Sequence, residues 1–416
     1  MNRIPSDTSR RAATARSPIL SSRATVRRAR FVGIDVARCL ALIGMMTAHI
    51  VPKTVGGRVP WAQRVTTGNS AALFAVLAGV SLALMTGGST PHVGRRRFTD
   101  STAIVVRASL ILVIGMLLEQ LHPAGIAVIL PYYGVLFVLA LPFIWLRPTT
   151  LLIIGAVWMC VSPVVSQAFR LFDPTSVSGG FSGLGPLGIL LRLVITGEYP
   201  AFTWVSYLCC GLAVGRLDLH RKDTAVRVLG GGALLAVTAS LVSASLTSLP
   251  GVHERLLHSW PGSGASSWGA LQPQLQVGLE GVTPTGSWWW LAVNAPHSGS
   301  ATDLAFTSGT ALAVIGLALL VTRVATRWWR VIFGAGAMTL TLYSVHLVMV
   351  LPQTWPDHGR RRLLPEVAVV VVIGMVFALL RWRGPLESIV AVASKTVAGW
   401  VDRVVRRSRT AAQPPR

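Results

Sequence analysis

Long runs of apolar residues, separated by short polar stretches, make up most of the chain. Several of these runs reach the roughly 20 residues that an α-helix needs to cross a bilayer. We predict a membrane-spanning helix in each of the runs at residues 33–53, 70–87, 102–121, 125–146, 149–169, 200–216, 227–248, 303–323, 331–351 and 363–381. The pattern therefore predicts an all-α, polytopic integral membrane helical bundle of about 10 transmembrane helices (10–11).

The composition supports a membrane protein and changes how the charge should be interpreted. Hydrophobic residues make up 52% of the 416 residues and charged residues 13%, with a mean hydropathy of +0.59. Soluble proteins usually carry about 25% charged residues. The net charge of +23 could suggest a nucleic-acid partner. However, Lys and Arg concentrate in the terminal segments and in short loops, as they do on the cytoplasmic side of membrane proteins. We therefore expect no nucleic-acid partner.

The distribution of basic residues also predicts the orientation and the domain organisation. An N-in/C-in arrangement in the plasma (inner) membrane places most Lys and Arg residues in the cytoplasm. We expect a basic disordered tail at 1–31, a membrane domain at 32–381 and a basic amphipathic tail at 382–416. Long loops near 170–199 and 249–302 would face outward, and loops of that length are usually functional or disordered. The lipid bilayer is one expected partner, and a homodimer is a candidate assembly.

The first apolar run, GIDVARCLALIGMMTAHIV, contains Asp35, Arg38 and His49. At 100° per residue, Arg38 and His49 differ by only about 20° around the helix axis and lie about 16 Å apart along it. Asp35 is three residues before Arg38, so the two side chains can pair on that face. Ionisable groups within a span normally face a bundle interior or a wet cavity. One interpretation is an interfacial anchor pair plus a histidine at the far boundary; the other is a functional line through the membrane.

Several sequence blocks resemble a known enzyme family. These blocks are GIDVARCLALIGMMTAH followed by NSAALFAVLAGVSLAL, then ILPYYGVLFVLAL, TGEYPAFTWVSYLCCGLAVGRLDL, PHSGSATDLAFTSGTALAVIG and LTLYSVHLVMV. Together they span roughly residues 31–350 and resemble the bacterial relatives of heparan-alpha-glucosaminide N-acetyltransferase, within the transmembrane acyltransferase superfamily. The resemblance implies transfer of an acyl group from cytoplasmic acyl-CoA to a sugar acceptor on the opposite face. It also implies a histidine that acts near the outer end of the channel.

Three residues are candidates for the catalytic chemistry of acyl transfer, which needs a base and donors for a developing oxyanion. His49 is the candidate base, because an imidazole can take a proton near neutral pH. Asp303 could orient an imidazole, or it could cap the helix that it precedes. His297 lies in the loop before that helix and is the third candidate.

Five further residues are candidates for substrate binding at the outer level: Tyr133, Glu198, Tyr343, His346 and Asn69. Each has a structural alternative. Tyr133 could belong to an aromatic belt at the membrane boundary, and Asn69 could cap a helix. Glu198 could be solvated or cap a helix, and His346 could be a buried core histidine. Tyr343 shares one helix face with His346.

The predicted cytoplasmic side offers a binding site for the donor. CoA carries several phosphate charges and needs cations. Arg38, with its partner Asp35, and Arg107 are therefore candidates to bind acetyl-CoA or another acyl-CoA, and a sugar or glycolipid is the expected acceptor. No metal-binding spacing is present, so we predict no metal. A transporter or flippase using the same polar path is the alternative, disfavoured by the lack of an internal repeat. A protein that kept the fold without catalysis is a third.

Overall fold

A computed structural model of the chain describes residues 31–121, 126–172, 181, 183–262, 265–279, 281–351 and 362–411. Within these residues the chain forms sixteen α-helices and no β-strand. They are α1 (Val32–Ile50), α2 (Trp61–Thr66), α3 (Asn69–Met85), α4 (Arg95–Glu119), α5 (Leu130–Leu139), α6 (Pro148–Phe172), α7 (Pro186–Leu191), α8 (Ala201–Gly215), α9 (Lys222–Thr247), α10 (Val252–His258), α11 (Trp268–Val277), α12 (Ala301–Val321), α13 (Thr326–Ile332), α14 (Thr339–Val350), α15 (Leu363–Leu379) and α16 (Pro385–Ala411). The all-helical prediction is confirmed. The predicted tail at 1–31 lies, apart from Phe31, outside the described residues.

Helices α1, α3, α8 and α12 form the buried centre of the molecule. Almost every residue of α8 is buried. Helices α3 and α8 cross closely because a Cβ atom on Gly79 would collide with the backbone at Leu208, and one on Gly211 with the backbone at Val76. Small residues at a helix crossing let two backbones approach, which favours packing where hydrophobic exclusion from water cannot drive it.

Peripheral helices turn apolar side chains outward. Val113 and Leu117 of α4, Ile153 of α6 and Leu234 and Leu241 of α9 are all more than half exposed. A soluble protein rarely exposes so many large apolar side chains together, whereas a bilayer covers them. The surface therefore agrees with a membrane protein.

Among the described residues, six helical segments are long and apolar enough to cross a membrane: α1, α2 with α3, α4, α6, α9 and α12. The remaining predicted spans coincide with shorter apolar helices, namely α5, α8, α14 and α15. Helix α5 covers only Leu130–Leu139 of the run predicted at 125–146. The count of about ten spans and the N-in/C-in orientation remain predictions.

The run at 331–351 does not form one helix. Helix α13 ends at Ile332, a 3₁₀ turn follows at Gly334–Ala337, and α14 begins at Thr339. The interruption brings two glycines into backbone contact with neighbouring helices. Gly334 packs against the backbone of Gly374, and Gly336 packs against the carbonyl of Asp35. A continuous helix with larger side chains could not approach α1 and α15 so closely.

The region between α9 and α12 is an ordered unit, which we call the cap (residues 252–262, 265–279 and 281–295). It has its own hydrophobic core, which includes Leu256, Leu271 and Trp290. Trp290 is fully buried, and its Nε1 donates to Ser259 Oγ at 2.9 Å. The outward loop predicted at 249–302 is thus folded over its described residues. In the loop predicted at 170–199, residues 173–180 and 182 lie outside the described part, and α7 continues into a π-helical turn at Arg192–Thr196.

Helix α16 docks onto the bundle. Arg95 Nε donates to Asp402 Oδ1 at 2.5 Å, which ties it to the start of α4. Glu387 Oε1 accepts from the backbone N–H groups of Leu340 and Thr341, at 2.7 and 3.1 Å. A carboxylate in this position satisfies N–H groups that a helix start leaves unpaired. The amphipathic segment predicted after residue 382 is therefore a helix that caps α14.

Candidate functional site

The polar stripe of α1 contains the first part of the site. Arg38 Nη1 donates to Asp35 Oδ1 at 3.1 Å, as the three-residue spacing predicts, and Nη2 donates to Ser81 Oγ of α3 at 2.5 Å. Asp35 is buried, so its charge needs this compensation. Because of these bonds, the Arg38 guanidinium is fixed between α1 and α3.

A cavity of about 370 Å³ begins at this arginine; we call it the arginine cavity. Its lining includes Arg38, Met45, Arg107, Tyr133, Tyr343 and Glu387. Arg38 and Met45 lie on the same stripe of α1, about 10 Å apart along the axis. Gly336, beside Asp35, and Tyr343, two turns further along the chain, also line it. The cavity therefore extends from a cationic end to an end walled by Met45, Tyr133 and Tyr343.

Arg107 adds a second guanidinium at the cationic end, which also contains the Glu387 carboxylate. The Arg107 Nε atom is buried and has no hydrogen-bond partner among the described residues. A buried donor without a partner is costly and rare in native proteins. Because Arg107 also lines the arginine cavity, an anionic group bound there would supply the missing acceptor. Arg38 and Arg107, proposed from the sequence as one group, are thus brought to one cavity by the fold.

His49 contacts a second histidine. His49 Nδ1 and His346 Nε2 lie 3.1 Å apart, and the two ring planes are nearly parallel, at 9°, with centroids 5.4 Å apart. His346 is fully buried on α14, and its Nδ1 lies 3.2 Å from Glu366 Oε2 of α15. Glu366 Oε1 accepts from Arg362 Nε at 2.6 Å, and Arg362 Nη2 donates to the carbonyl of Met349 at 2.6 Å. Four side chains therefore form one continuous polar chain.

Sequence reasoning missed Glu366 and Arg362. Glu366 is a lone acidic residue in the apolar run LLPEVAVVVVIGM, and such a residue within a span points to a buried functional partner. That signal was present in the sequence. The contact of His49 with His346 could not be predicted from spacing, because the two residues are 297 positions apart.

The histidine pair lies just beyond the end of the arginine cavity that is walled by Met45, Tyr133 and Tyr343. His49 is four residues after Met45 on α1, which is about one helical turn. His346 is three residues after Tyr343 on α14, again about one turn. Met45 and Tyr343 both line the cavity, so each imidazole lies about one helical turn beyond a residue of the cavity wall. Arg38 and His49 thus bracket this cavity along α1.

The other catalytic candidates form a separate group near the start of α12. Ser300, and not Asp303, is the N-cap of α12, because its Oγ accepts from the Asp303 N–H at 3.1 Å. Asp303 lies in the first helical turn, and its Oδ2 accepts from the Gly299 N–H at 3.0 Å. Its Oδ1 is buried and has no hydrogen-bond partner among the described residues. The carboxylate that faces an imidazole of the histidine pair is Glu366.

His297 is half-buried in the loop before α12. Its backbone has a positive φ of 54°, which is uncommon for a residue with a side chain. Its Nε2 accepts from the backbone N–H of Gly68 at 3.2 Å, and its ring packs on Tyr199 with centroids 5.6 Å apart. Nε2 can accept that bond only with a lone pair, so the imidazole of His297 is neutral in this arrangement. His297 links the loop to the start of α3.

The titration of His297 yields a stability prediction. Burial, with a smaller contribution from the charge of Lys53, lowers the pKa of the His297 imidazole from 6.5 to about 4. Below about pH 6.5 the unfolded chain binds a proton that the folded protein does not, so stability falls until about pH 4. Between pH 7 and pH 4, the free energy of unfolding of His297→Gln is expected to fall by about 3 kcal/mol less than that of the wild type. Thermal unfolding in detergent micelles at several pH values measures this; equal pH slopes for both proteins would contradict it.

A second cavity, of about 390 Å³, lies between α2, α3, α12 and the cap; we call it the polar cavity. Its lining includes Arg64, Asn69, Trp268, Gln272, Asn294 and Asp303. Asn69 does not cap α3, because Gly68 is the N-cap. Instead, Asn69 Oδ1 accepts from Thr310 Oγ1 at 2.7 Å, and Nδ2 donates to the carbonyl of Val65 at 3.1 Å. Amide, carboxylate and aromatic side chains thus share one concave surface.

All five tyrosines of the chain are buried in the interior. They are Tyr132, Tyr133, Tyr199, Tyr207 and Tyr343. Tyr133 packs near Trp204, which also contacts Tyr199 and Tyr207 edge-on. An aromatic belt would face lipid at the bilayer surface. Tyr133 is instead an internal residue, and its hydroxyl donates to the carbonyl of Ala71 at 3.4 Å.

Glu198 is half-buried and lies near the start of α12. It lines a water-sized space together with His297, Tyr207 and Asp303. The backbone at Gly281 packs against the backbone of Glu198, and Gly281 has a positive φ of 88° that favours glycine. Since Asp303 also lines the polar cavity, Glu198 and His297 lie immediately beside it.

The fold and the site define a helical membrane protein with a histidine pair, one member of which is fully buried, beside a cationic cavity. Residues 30–249 match the family described as heparan-alpha-glucosaminide N-acetyltransferase, catalytic. Because the match covers more than half of the 416 residues, the chain belongs to this family, as the sequence resemblance predicted. The family indicates a membrane acetyltransferase, and acetyltransferases of this type use acetyl-CoA as the donor. A search of the curated proteins found no match.

Proposed function

We propose that this protein transfers an acetyl group from acetyl-CoA to a hydroxyl or amine of an extracytoplasmic sugar or glycolipid. The observation that carries the proposal is the arginine cavity, which begins at Arg38 and Arg107 and ends at Met45 and Tyr343, each about one helical turn before a member of the histidine pair. A cationic end suits phosphates, and an imidazole suits the proton transfer that acyl transfer requires. Donor and acceptor would approach the pair from opposite sides.

Arg38 and Arg107 bind the phosphates of acetyl-CoA in this proposal. The Arg107 Nε donor lacks a partner among the described residues, and Asp35 fixes the orientation of Arg38. A guanidinium whose orientation is already fixed loses little freedom on binding. The pantetheine chain extends along the largely apolar wall toward Met45, so the thioester comes to the end walled by Tyr133 and Tyr343.

His49 is the general base. It accepts the proton of the acceptor hydroxyl or amine as that oxygen or nitrogen attacks the acetyl carbonyl. The new C–O or C–N bond forms, the C–S bond breaks, and the proton on His49 passes to the leaving thiolate. The products are the acetylated acceptor and the free thiol of CoA. Tyr343 offers a hydroxyl donor for the developing oxyanion, because its oxygen accepts from the Ile129 N–H and its own proton can still be donated.

The polar cavity is the proposed acceptor site. Asn69, Gln272 and Asn294 provide amides for sugar hydroxyls, and Trp268 provides an aromatic face. Concave sites of this kind combine a few polar groups with aromatic walls. Helix α2 joins this cavity to the end of α1, because Gln63 Nε2 donates to the carbonyls of Ala48 and Val51, and Arg64 lines the cavity. The cap closes the opposite side.

An acetyl-transfer assay tests the proposal. The purified protein in lipid nanodiscs is expected to convert labelled acetyl-CoA and a sugar from a panel of hexoses and hexosamines into acetylated sugar and an equal amount of free CoA thiol. Mass spectrometry measures the sugar, and a thiol reagent measures CoA. Absence of acetyl-CoA binding would contradict the proposal. Sugar uptake into vesicles without consumption of acetyl-CoA would favour the transporter alternative instead.

A further inference from the structure

We propose that Glu366, held by Arg362, fixes the positions of the protons on His346 and His49, so that His49 presents its Nε2 lone pair as the base. The two residues act through the histidines and are positioning residues. The tautomer assignment rests on geometry alone, whereas its consequence for catalysis rests on the proposed acetyl transfer. Neither Glu366 nor Arg362 lies in the segment that matches the family.

Glu366 is negatively charged in this arrangement. Its carboxylate is fully buried and accepts from Arg362 Nε at 2.6 Å. A buried carboxylate beside a guanidinium remains ionised, and the pair is neutral overall. Arg362 is also anchored, because its Nη2 donates to the carbonyl of Met349. A second positive charge beside this neutral pair would lack compensation, so His346 is neutral at rest.

The proton of His346 lies on Nδ1. Glu366 Oε2 lies 3.2 Å from His346 Nδ1, and an ionised carboxylate can only accept. His346 Nδ1 therefore carries the proton and donates it to Glu366. Because the ring is neutral, Nε2 of His346 carries a lone pair.

The position of the proton on His346 also determines the position of the proton on His49. Its Nδ1 lies 3.1 Å from His346 Nε2, and a hydrogen bond at that distance needs one proton between the two nitrogens. Since His346 Nε2 accepts, His49 Nδ1 must donate. The lone pair of His49 then lies on Nε2, the nitrogen that can take a proton from an acceptor. Glu366 thus sets the tautomer of a residue that it does not contact.

The same chain of bonds supports the reaction. When His49 Nε2 takes the acceptor proton, its positive charge faces His346, whose own proton points at the Glu366 carboxylate. The dipole of the neutral imidazole and the negative carboxylate both stabilise that charge. No oxidant or further reactant is needed, because the proton returns to the leaving thiolate.

Glu366→Gln reverses the assignment. Arg362 Nε needs an oxygen acceptor, so the amide oxygen of the new side chain faces Arg362 and its NH₂ group faces His346. The NH₂ group can only donate, so His346 Nδ1 must accept with a lone pair. The His346 proton therefore moves to Nε2. His49 Nδ1 then accepts, and its proton moves to Nε2. The base becomes unavailable although every side chain keeps its place.

The double variant Arg362→Met with Glu366→Gln separates this effect from a loss of packing. Without the Arg362 guanidinium, the amide can turn its oxygen toward His346 Nδ1 and restore the original tautomers. We expect Glu366→Gln to lower kcat roughly tenfold or more and the double variant to regain most of that loss. The Kd for acetyl-CoA should stay unchanged in both. Glu254→Gln, an exposed change in the cap, is the matched control.

Nuclear magnetic resonance of full-length protein with labelled histidines in nanodiscs tests the tautomers directly. The chain has 9 histidines, so signals are assigned by their loss in His49→Ala and His346→Ala. We expect Nδ1-protonated rings for both residues in the wild type, Nε2-protonated rings in Glu366→Gln, and reversion in the double variant. Nε2-protonated rings in the wild type would overturn the inference, as would a double variant no better than Glu366→Gln. If the tautomers are as proposed but the protein transfers no acetyl group, only the proposed function is refuted and the tautomer assignment stands.

Discussion

His49→Ala is expected to lower kcat for acetyl transfer by about 10²- to 10⁴-fold, because the variant has no group to take the acceptor proton. The Kd for acetyl-CoA should change by less than about threefold, since His49 lies one helical turn beyond the residues that line the arginine cavity. Steady-state rates of CoA release and equilibrium binding of labelled acetyl-CoA measure the two quantities separately. A loss confined to kcat identifies a residue that acts in the chemical step.

A matched control is available in the cap. His258 is exposed and far along the chain from the histidine pair, so His258→Ala should keep the wild-type rate. Retention of a third or more of the wild-type kcat by His49→Ala would refute the role of His49 as the base. Weakened binding of acetyl-CoA with an unchanged kcat would also count against it, because it would assign His49 to donor binding.

The helical period of α1 was sufficient to place three residues of the candidate site on one face. Asp35, Arg38 and His49 share one stripe, and the structure places Arg38 at the arginine cavity and His49 at the histidine pair. A period of 3.6 residues is a local property, so it can be calculated from one segment. The partners of these residues belong to distant segments. Ser81, His346 and Glu366 meet them only through packing, which no single-segment pattern encodes.

The break before α14 shows why the helix pattern alone was incomplete. The apolar residues of 331–351 favour one continuous span, yet Gly334 and Gly336 allow close backbone contacts with α15 and α1. These close approaches fix the turn against α1 and α15, and α14, with Tyr343 and His346, begins directly after it. Packing between helices thus overrides the preference of the isolated segment.

The first-turn position of Asp303 illustrates a different limit. The sequence places an acid near a helix start, where capping and catalysis predict the same residue type. Only the structure separates the two roles, since Ser300 caps α12 and Asp303 lies at the wall of the polar cavity. Likewise, Glu366 was visible as a lone acid in an apolar run, but its contact with His346 depends on how α14 and α15 pack.

Arg107→Met is expected to raise the Kd for acetyl-CoA by about 10- to 100-fold, because a charge-assisted hydrogen bond to a phosphate contributes about 1.5–3 kcal/mol. The kcat at saturating donor should be unchanged, since Arg107 is distant along the cavity from the histidine pair. Arg38 needs a paired change, because removing it alone would leave the buried Asp35 carboxylate without its guanidinium. Asp35→Asn with Arg38→Met avoids that charge and should weaken binding by a similar factor.

The ionic strength of the buffer distinguishes a phosphate contact from a general loss of positive charge. Salt should weaken acetyl-CoA binding to the wild type more than to Arg107→Met, because the variant has already lost a charge that salt would screen. Arg227→Met is the control, since Arg227 is exposed on α9 and does not line the arginine cavity. Equal losses of affinity in Arg107→Met and Arg227→Met would mean that the arginines attract CoA only through net charge, and the arginine cavity would then not be the donor site.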